Sequence, residues 1–333
     1  MRKLIMTLAT SLLCATAFAD YTQHPDGRAF IEEMAAEGLD RQRVTALLAG
    51  AQRKDSILEA IARPAEKTKT WAEYRRIFIQ DSRVSQGEQF FAEHTDTLKR
   101  AAETYGVPEK MILAIIGVET RYGRNKGSFR VVDALATLGF DYPPRAKFFR
   151  GQLAELMRLE GLAHIDAETI TGSYAGAMGF PQFIPSSYIH YAVDFDNDGV
   201  TDLVNNPVDA IGSVANYFAE HGWQSGAPVA ARARVPGDID RNLIHNKGKP
   251  AHTLGQMAKA GIVPVGCDES DFCFPELPAE TPVALLELQG AKGTEYWLTT
   301  QNFYVITRYN HSNLYAMATF QLSRLFDTGT VAP

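Results

Sequence analysis

The stretch Pro108 to Gly123, PEKMILAIIGVETRYG, constrains this chain more than any other. Proline suits a first helical position, Glu109 complements the positive end of a helix dipole, and Gly123 lies where a left-handed cap is wanted. The spacing predicts a helix of about 14 residues. Its apolar residues recur at Ile112, Ile115 and Ile116, and the next member of that i, i+3, i+4, i+7 series is Glu119. One acid therefore falls on the buried stripe. A carboxyl that loses solvation favours its neutral form, so its pKa rises toward the range in which it donates a proton near neutrality. Two readings follow: a general acid, or an acid ending a core helix and pairing with Arg121 or Arg124.

Met1-Arg2-Lys3 is a positive leader, residues 4–18 are largely apolar, and Ala17-Phe18-Ala19 gives a small-x-small pattern before Asp20. Residues 1–19 read as a secretory signal. Cys14 follows Leu13, where a lipid-attachment signal needs a small residue, so a soluble mature chain is favoured over a lipid-anchored one. No later run approaches the roughly 18 apolar residues of a transmembrane segment. Removing Arg2 and Lys3 takes the formal charge from −6 to −8, and this acidic balance excludes a nucleic-acid footprint. In an oxidising compartment Cys267 and Cys273 are close enough to pair as a local disulfide; the spacing is wrong for a C-x-x-C redox or metal site.

Residues 20–104 read as a helical N-terminal domain, with segments marked by Phe30, Met34 and Leu39, by Val44, Leu47 and Leu48, by Ile57, Leu58 and Ile61, and by Phe90, Phe91, His94 and Leu98. The run 69–78 places aromatics beside cations, as an inter-helix core with a solvated basic edge does. Residues 105–225 hold the Glu119 helix, a basic loop over 121–130, a short helix over 132–140 ending at a glycine cap, an amphipathic helix over 147–159, and a helix over 209–218. Residues 226–296 change texture: Val229 to Val235 alternates with period two and Val283 to Leu288 is extended, so a small β-rich unit is inserted. Residues 297–333 return to the main body, with Ser312 able to cap a last helix through Tyr315, Ala318, Leu322 and Leu325.

Residues 169–193 contain no Asp, Glu, Lys or Arg, but do contain GSYAGAMGFPQFIPSSY over 172–188. Ser173, Gln182 and Ser186 with three glycines exceed what a core strand needs. Hydroxyls, amides, aromatic faces and close backbone approach suit a neutral polyhydroxylated ligand, so this is either a sugar cleft or a buried loop with its polar groups satisfied. The glycines do not form a dinucleotide fingerprint. Next comes DFDNDGV over 194–200, which matches the first half of a calcium loop, with Asp194, Asp196 and Asp198 as oxygen ligands and the Val200 carbonyl following. Position 12 is Asn205, which lacks the bidentate carboxylate; Asp209 lies further on and serves if the loop is longer than usual. The alternative is an Asp-rich turn without metal.

The ordered set GVETRYG over 117–123, GSYAGAMG over 172–179, PQF over 181–183, PSSY over 185–188, the Asp194 loop and TRYN over 307–310 closely resembles the lytic murein transglycosylase B family, glycoside hydrolase family 103, through most of the mature chain. The resemblance implies an α+β, mainly α fold: a lysozyme-like helical core, an N-terminal helical domain and the small inserted β domain. It implies that Glu119 is the sole catalytic acid and base. It places Ser173, Gln182, Tyr217, Tyr309, Asn310 and Tyr315 along the groove, with Tyr74 and Arg145 reaching it from the flanks. Calcium at Asp194, Asp196, Asp198, Val200 and Asp209 would be structural, and no cofactor is implied for catalysis. Peptidoglycan glycan strands are the implied partner, proteins of cell-wall synthesis are candidate partners, and the periplasm is the implied location. Ordinary glycosidases use two carboxyls, yet neither the glycine-rich motif nor the ETRYG motif contains a second. A lytic transglycosylase does not need a second. Ser173 is expected on the substrate's acetamido carbonyl or on Glu119, and Tyr309 as a donor to the intermediate. The competing functions are a hydrolysing muramidase and a non-catalytic peptidoglycan-binding module.

Overall fold

In the computed structural model, which describes residues 20–63, 68–162 and 165–328, the helix Glu109–Thr120 runs through the middle of the protein. The expected signal segment, residues 1–19, lies outside the described residues. Pro108 is the N-cap of this helix, one position earlier than the sequence suggests, and the chain leaves it at Arg121, not at Gly123. Three successive residues are left-handed there, Arg121 at φ 50°, Tyr122 at φ 60° and Gly123 at φ 81°. Met111 to Val118 and Thr120 are all buried. The helix is apolar around its whole circumference because Asn313–Thr328, Pro207–Glu220, Thr95–Tyr105 and Asp81–Glu93 surround it. Each fully buried Ile or Leu contributes about 1.5–3 kcal/mol, so Ile112, Leu113, Ile115 and Ile116 make this helix the anchor of the core. Glu119 alone after Met111 is half-buried: it sits where a buried helix opens, not on a stripe.

The earlier helices Pro25–Ala36, Arg41–Gly50 and Asp55–Ala62 feed Phe30, Met34, Leu47, Leu48 and Ile57 into the same hydrophobic cluster as the central helix. Trp71–Phe78 follows, opened by a capping box between Thr70 and Glu73, and buries Trp71 and Tyr74. The pattern at Phe90, Phe91, His94 and Leu98 belongs to two helices: Asp81–Glu93 ends at His94, whose backbone leaves the helical region, and Thr95–Tyr105 begins anew. Nor is Gly139 a cap. It lies inside Val131–Asp141, which packs on Ala146–Leu162, and a Cβ there would stand 3.2 Å from Arg150 Cγ.

The β-rich region is one antiparallel five-stranded sheet in the order His252–Thr253, Pro282–Gly290, Gly293–Thr299, Ala230–Arg234, Val263–Pro264. A small core of its own, built on Ala231, Met257, Ile262, Val283, Leu285 and Leu298, lies on the sheet. Cys267 and Cys273 are bridged, with Cα atoms 5.0 Å apart. Gln301–Tyr309 and Asn313–Thr328 then return to the central helix, and Ser312 caps the second of them by accepting from Tyr315 N–H at 3.3 Å.

Candidate active site

Glu119 ends the central helix facing Tyr315, whose hydroxyl donates to Glu119 Oε1 at 2.6 Å. The two residues are 196 positions apart and meet because Asn313–Thr328 packs along Glu109–Thr120. Tyr315 is 2 % exposed, and burial first, then the negative charge of Glu119, pushes its phenol well above the ordinary value. It therefore stays a donor. The arginines that offered an ion-pair reading of Glu119 turn to neutral partners: Arg121 donates to Gln86 and Ser82, and Arg124 to Gln89, each at 3.2 Å.

Tyr309 lies beside Tyr315, their rings stacked with centroids 6.5 Å apart. Its hydroxyl is spent on the Pro181 carbonyl at 2.6 Å, tying the helix Gln301–Tyr309 to the glycine-rich loop, and the phenol that meets the acid is Tyr315. Burial, and after it the charge of Glu119, also keeps Tyr309 protonated. Tyr217 donates to Arg308 O at 2.7 Å and stacks on His221 with centroids 4.0 Å apart; Tyr309 at 4.8 Å and Phe183 at 5.6 Å complete an aromatic wall. Burial lowers the pKa of His221, so the wall is uncharged near neutrality.

The glycine-rich segment is a knitted loop. Ser173 Oγ accepts from Ala175 N–H at 3.2 Å and Ala177 N–H at 3.0 Å, so its lone pairs hold the loop and its own proton is left for donation. Its oxygen thus bonds the loop. Gln182, left-handed at φ 51°, gives its amide N–H groups to Gly179 O at 2.9 Å and Lys126 O at 3.2 Å, leaving Oε1 as an acceptor. Two residues that sequence reasoning passed over join this loop to the helix: Thr120 Oγ1 donates to Phe180 O at 3.0 Å, and Lys126 Nζ sits 4.8 Å over the Phe180 ring while donating to Val204 O at 2.6 Å. Gly123 must lack a side chain here, since a Cβ would lie 2.1 Å from the Phe180 ring.

Arg145 and Asn310 come together in a cleft of about 710 Å³ with Tyr142, Tyr174 and Asn313 on the helical side and Glu287 on the sheet. The Arg145 guanidinium lies 4.4 Å from the centre of the Phe148 ring. Leu314 forms part of the wall of this cleft, and Tyr315, one residue on, bears the hydroxyl on Glu119. Tyr74 is buried in Trp71–Phe78 and its charge interaction reaches Tyr315. Of the expected groove residues, Arg145 and Asn310 line this cleft, Ser173 and Gln182 belong to the glycine-rich loop, Tyr217 and Tyr309 to the aromatic cluster, and Tyr315 meets the acid. A second cleft, of about 660 Å³, lies at the other end of the central helix against Lys110 and the Cys267–Cys273 bridge.

In the acidic loop, Asp194, Asp196 and Asp209 each place a carboxylate oxygen within 4.8 Å of the others. Asp198 is not among them; its Oδ1 accepts Val200 N–H at 2.8 Å. Asn197 and Gly199 take the left-handed conformations that turn the loop. Asp209 enters from the first turn of Pro207–Glu220, fully buried, and accepts from Phe195 N–H and Asp202 N–H, each at 2.8 Å. Burial raises its pKa despite those bonds, and Asp196 and Asp194 raise it further. Such an oxygen-only set with a desolvated member fits a hard divalent cation.

The chain matches the family described as Transglycosylase SLT domain over residues 22–324. It is 42 % identical over 317 residues to membrane-bound lytic murein transglycosylase B of Escherichia coli strain K12, covering 92 % of this chain and 83 % of that one. The structure superposes on the catenated lytic transglycosylase SltB1 of Pseudomonas aeruginosa with a TM-score of 0.86 at 46 % identity, covering 93 % of this chain and 99 % of that one. It superposes on E. coli lytic transglycosylase Slt35 in complex with calcium with a TM-score of 0.82 at 41 % identity, covering 94 % and 96 %. Mainly helical, with a lysozyme-like core and one curled sheet, the chain belongs to the transglycosylase SLT domain family, the lytic murein transglycosylases.

Proposed function

We propose that Glu119 carries out lytic cleavage of peptidoglycan as the one carboxyl of the site, acid first and base second. The observation that carries this is the half-buried Glu119, at the mouth of an apolar helix, with Oε1 held by the Tyr315 hydroxyl at 2.6 Å. In the first step Glu119 protonates the β-1,4 oxygen between N-acetylmuramic acid and N-acetylglucosamine, while the substrate's 2-acetamido oxygen stabilises C1 from the opposite face. The Glu119 carboxylate then takes the proton of the C6 hydroxyl, whose oxygen attacks C1 and closes a 1,6-anhydro ring. No water is consumed. Tyr315 favours the carboxylate form by donating to it, which serves the base step, and fixes which oxygen faces the sugar. The proton of Ser173 and Oε1 of Gln182 are polar groups for the sugar's acetamido and hydroxyls; Tyr217, Tyr309, Asn310, Arg145 and Tyr74 shape the groove.

Calcium held by Asp194, Asp196 and Asp209, with Asp198 and the Val200 carbonyl as further oxygens, would neutralise the clustered acids and brace the loop before Pro207–Glu220. It has no part in the chemistry. Among the described residues no helix is long and apolar enough to cross a membrane. The E. coli relative is named membrane-bound; for this chain Leu13 before Cys14 favours a soluble periplasmic enzyme.

The test is to incubate the mature protein and its Glu119→Gln variant with purified peptidoglycan strands and weigh the products. Fragments one water lighter than muramidase products, absent with the variant, support the proposal. Reducing-end fragments would make the protein a hydrolase. Wall binding without turnover in the parent would make it a binding module.

A further inference from the structure

One buried cation touches the ends of two helices that bear site residues. Arg83, on Asp81–Glu93, is 6 % exposed, and no carboxylate among the described residues pairs with it. Its guanidinium donates to the Gly117 carbonyl, two residues before Glu119, and at 3.4 Å to the Ile77 carbonyl, three residues after Tyr74. Its Cζ lies 5.3 Å from the centre of the Phe78 ring. Both carbonyls belong to the last turns of their helices, where the dipole favours a cation. Gly117 O also accepts Arg121 N–H at 3.1 Å, and Arg121 and Tyr122 are the left-handed non-glycine residues that turn the chain away from Glu119. Such conformations cost of the order of 1 kcal/mol each and persist only where their surroundings hold them. The Tyr122 ring supplies part of that hold by packing against Gly117 and Gly87.

A buried guanidinium is a poor way to stabilise a fold. Taking the charge out of water costs several kcal/mol, and apolar replacements of buried charges are often neutral or stabilising. What an apolar chain cannot do is hold two carbonyls at a fixed distance, as a planar fork does. We propose that Arg83 is a positioning residue for the Glu119 reaction, clamping the ends of Trp71–Phe78 and Glu109–Thr120 so that Glu119 keeps its aim. This rests on the reading of Glu119 as the acid and base.

The test compares Arg83→Met and Arg83→Lys with the parent and Glu119→Gln, all as the mature chain, by kcat and KM for release of 1,6-anhydro fragments from soluble strands and by thermal melting. Arg83→Met is expected to lower kcat about 10- to 100-fold with KM within about threefold, as a misaimed group does, while its Tm stays within a few degrees of the parent. Arg83→Lys should recover part of that kcat. Parental kcat in Arg83→Met, or a loss that only follows the unfolded fraction, would overturn the clamp. If Arg83→Met does not fold, Arg83→Lys decides: lowered kcat at parental Tm supports the fork, and parental kcat overturns it. Turnover retained by Glu119→Gln, or none in the parent, removes the Glu119 reading and the clamp with it. Parental turnover of Arg83→Met beside an inactive Glu119→Gln removes the clamp alone.

Discussion

Glu119, Asp194 and Asp209 are carboxylates at least partly drawn from water, yet their partners differ. Glu119 stands at the end of an apolar helix and is met by a phenol. Asp194 accepts from Asp198 N–H and Gly199 N–H, Asp209 from Phe195 N–H and Asp202 N–H, and the cluster draws its acids together with no basic side chain among those donors. A neutral hydroxyl donor leaves a single carboxyl able to gain and lose a proton. Backbone donors and neighbouring acids fix several carboxylates in place and ask for a cation. Burial does not by itself tell an acid's role; the groups that face it do.

The sharpest way to break this contrast is to neutralise each side in turn. Glu119→Gln should lower kcat by about 10³-fold, within the range of general acid–base contributions, with melting little changed. Asp194→Ala should do the reverse, leaving kcat close to parental in excess calcium and abolishing the calcium dependence of Tm. Rate and melting scans on both variants check the pair, and a calcium-dependent rate at constant folded fraction would show that the loop takes part in the chemistry.

Tyr315→Phe sharpens the Glu119 side. Losing a hydrogen bond to a charged group is worth about 1.5–3 kcal/mol, so kcat should fall about 10- to 100-fold with KM nearly unchanged. Tyr309→Phe should cost less, because the bond lost is to the Pro181 carbonyl. Equal losses in steady-state assays of the two variants would contradict the separate placements of the hydroxyls.

The calcium side can be sharpened through pH. Asp209 has its pKa raised by burial above the ordinary 3.8, so the folded metal-free protein holds that proton more tightly than the unfolded chain. Its contribution to metal-free stability is fully present at low pH and is lost as pH rises through the folded value. Calcium binds the carboxylate form and reverses the trend. The stabilisation by calcium, read from melting with and without the ion, should grow from acid to neutral pH, reaching about 2.7 kcal/mol at a hundredfold excess over Kd. A stabilisation independent of pH would place the ion elsewhere.

The smallest expected effect concerns the helix end. Gly117→Ala sets a Cβ 2.5 Å from the Tyr122 hydroxyl, so overpacking should cost about 1–3 kcal/mol, read by denaturant unfolding. A neutral result would mean that Tyr122 moves freely.

Much of this contrast was legible in the sequence, for local reasons. Glu119 stood out because helix period and apolar run agree there, and DFDNDG because ligand spacing is local. What escaped is non-local. Tyr315 as the partner of Glu119 depends on two helices packing across 196 positions, and the diversion of Tyr309 to Pro181 depends on a loop closing across 128. The apolar stripe proved to be one side of a helix buried all round, since a sequence pattern shows one face and not how many neighbours cover the others. Gly139 reads as a cap because glycine ends helices, but here it admits Arg150. His94 hides a break because the pattern runs on in phase through it. Arg83 looks like any surface cation until its two carbonyls are seen.

The measurement that bears most directly on the single-carboxyl account is digestion of peptidoglycan strands in ¹⁸O water, followed by mass analysis of the fragments. The account predicts 1,6-anhydro ends with no ¹⁸O, because the C6 hydroxyl and not water reaches C1. Fragments bearing one ¹⁸O at a reducing end would contradict it.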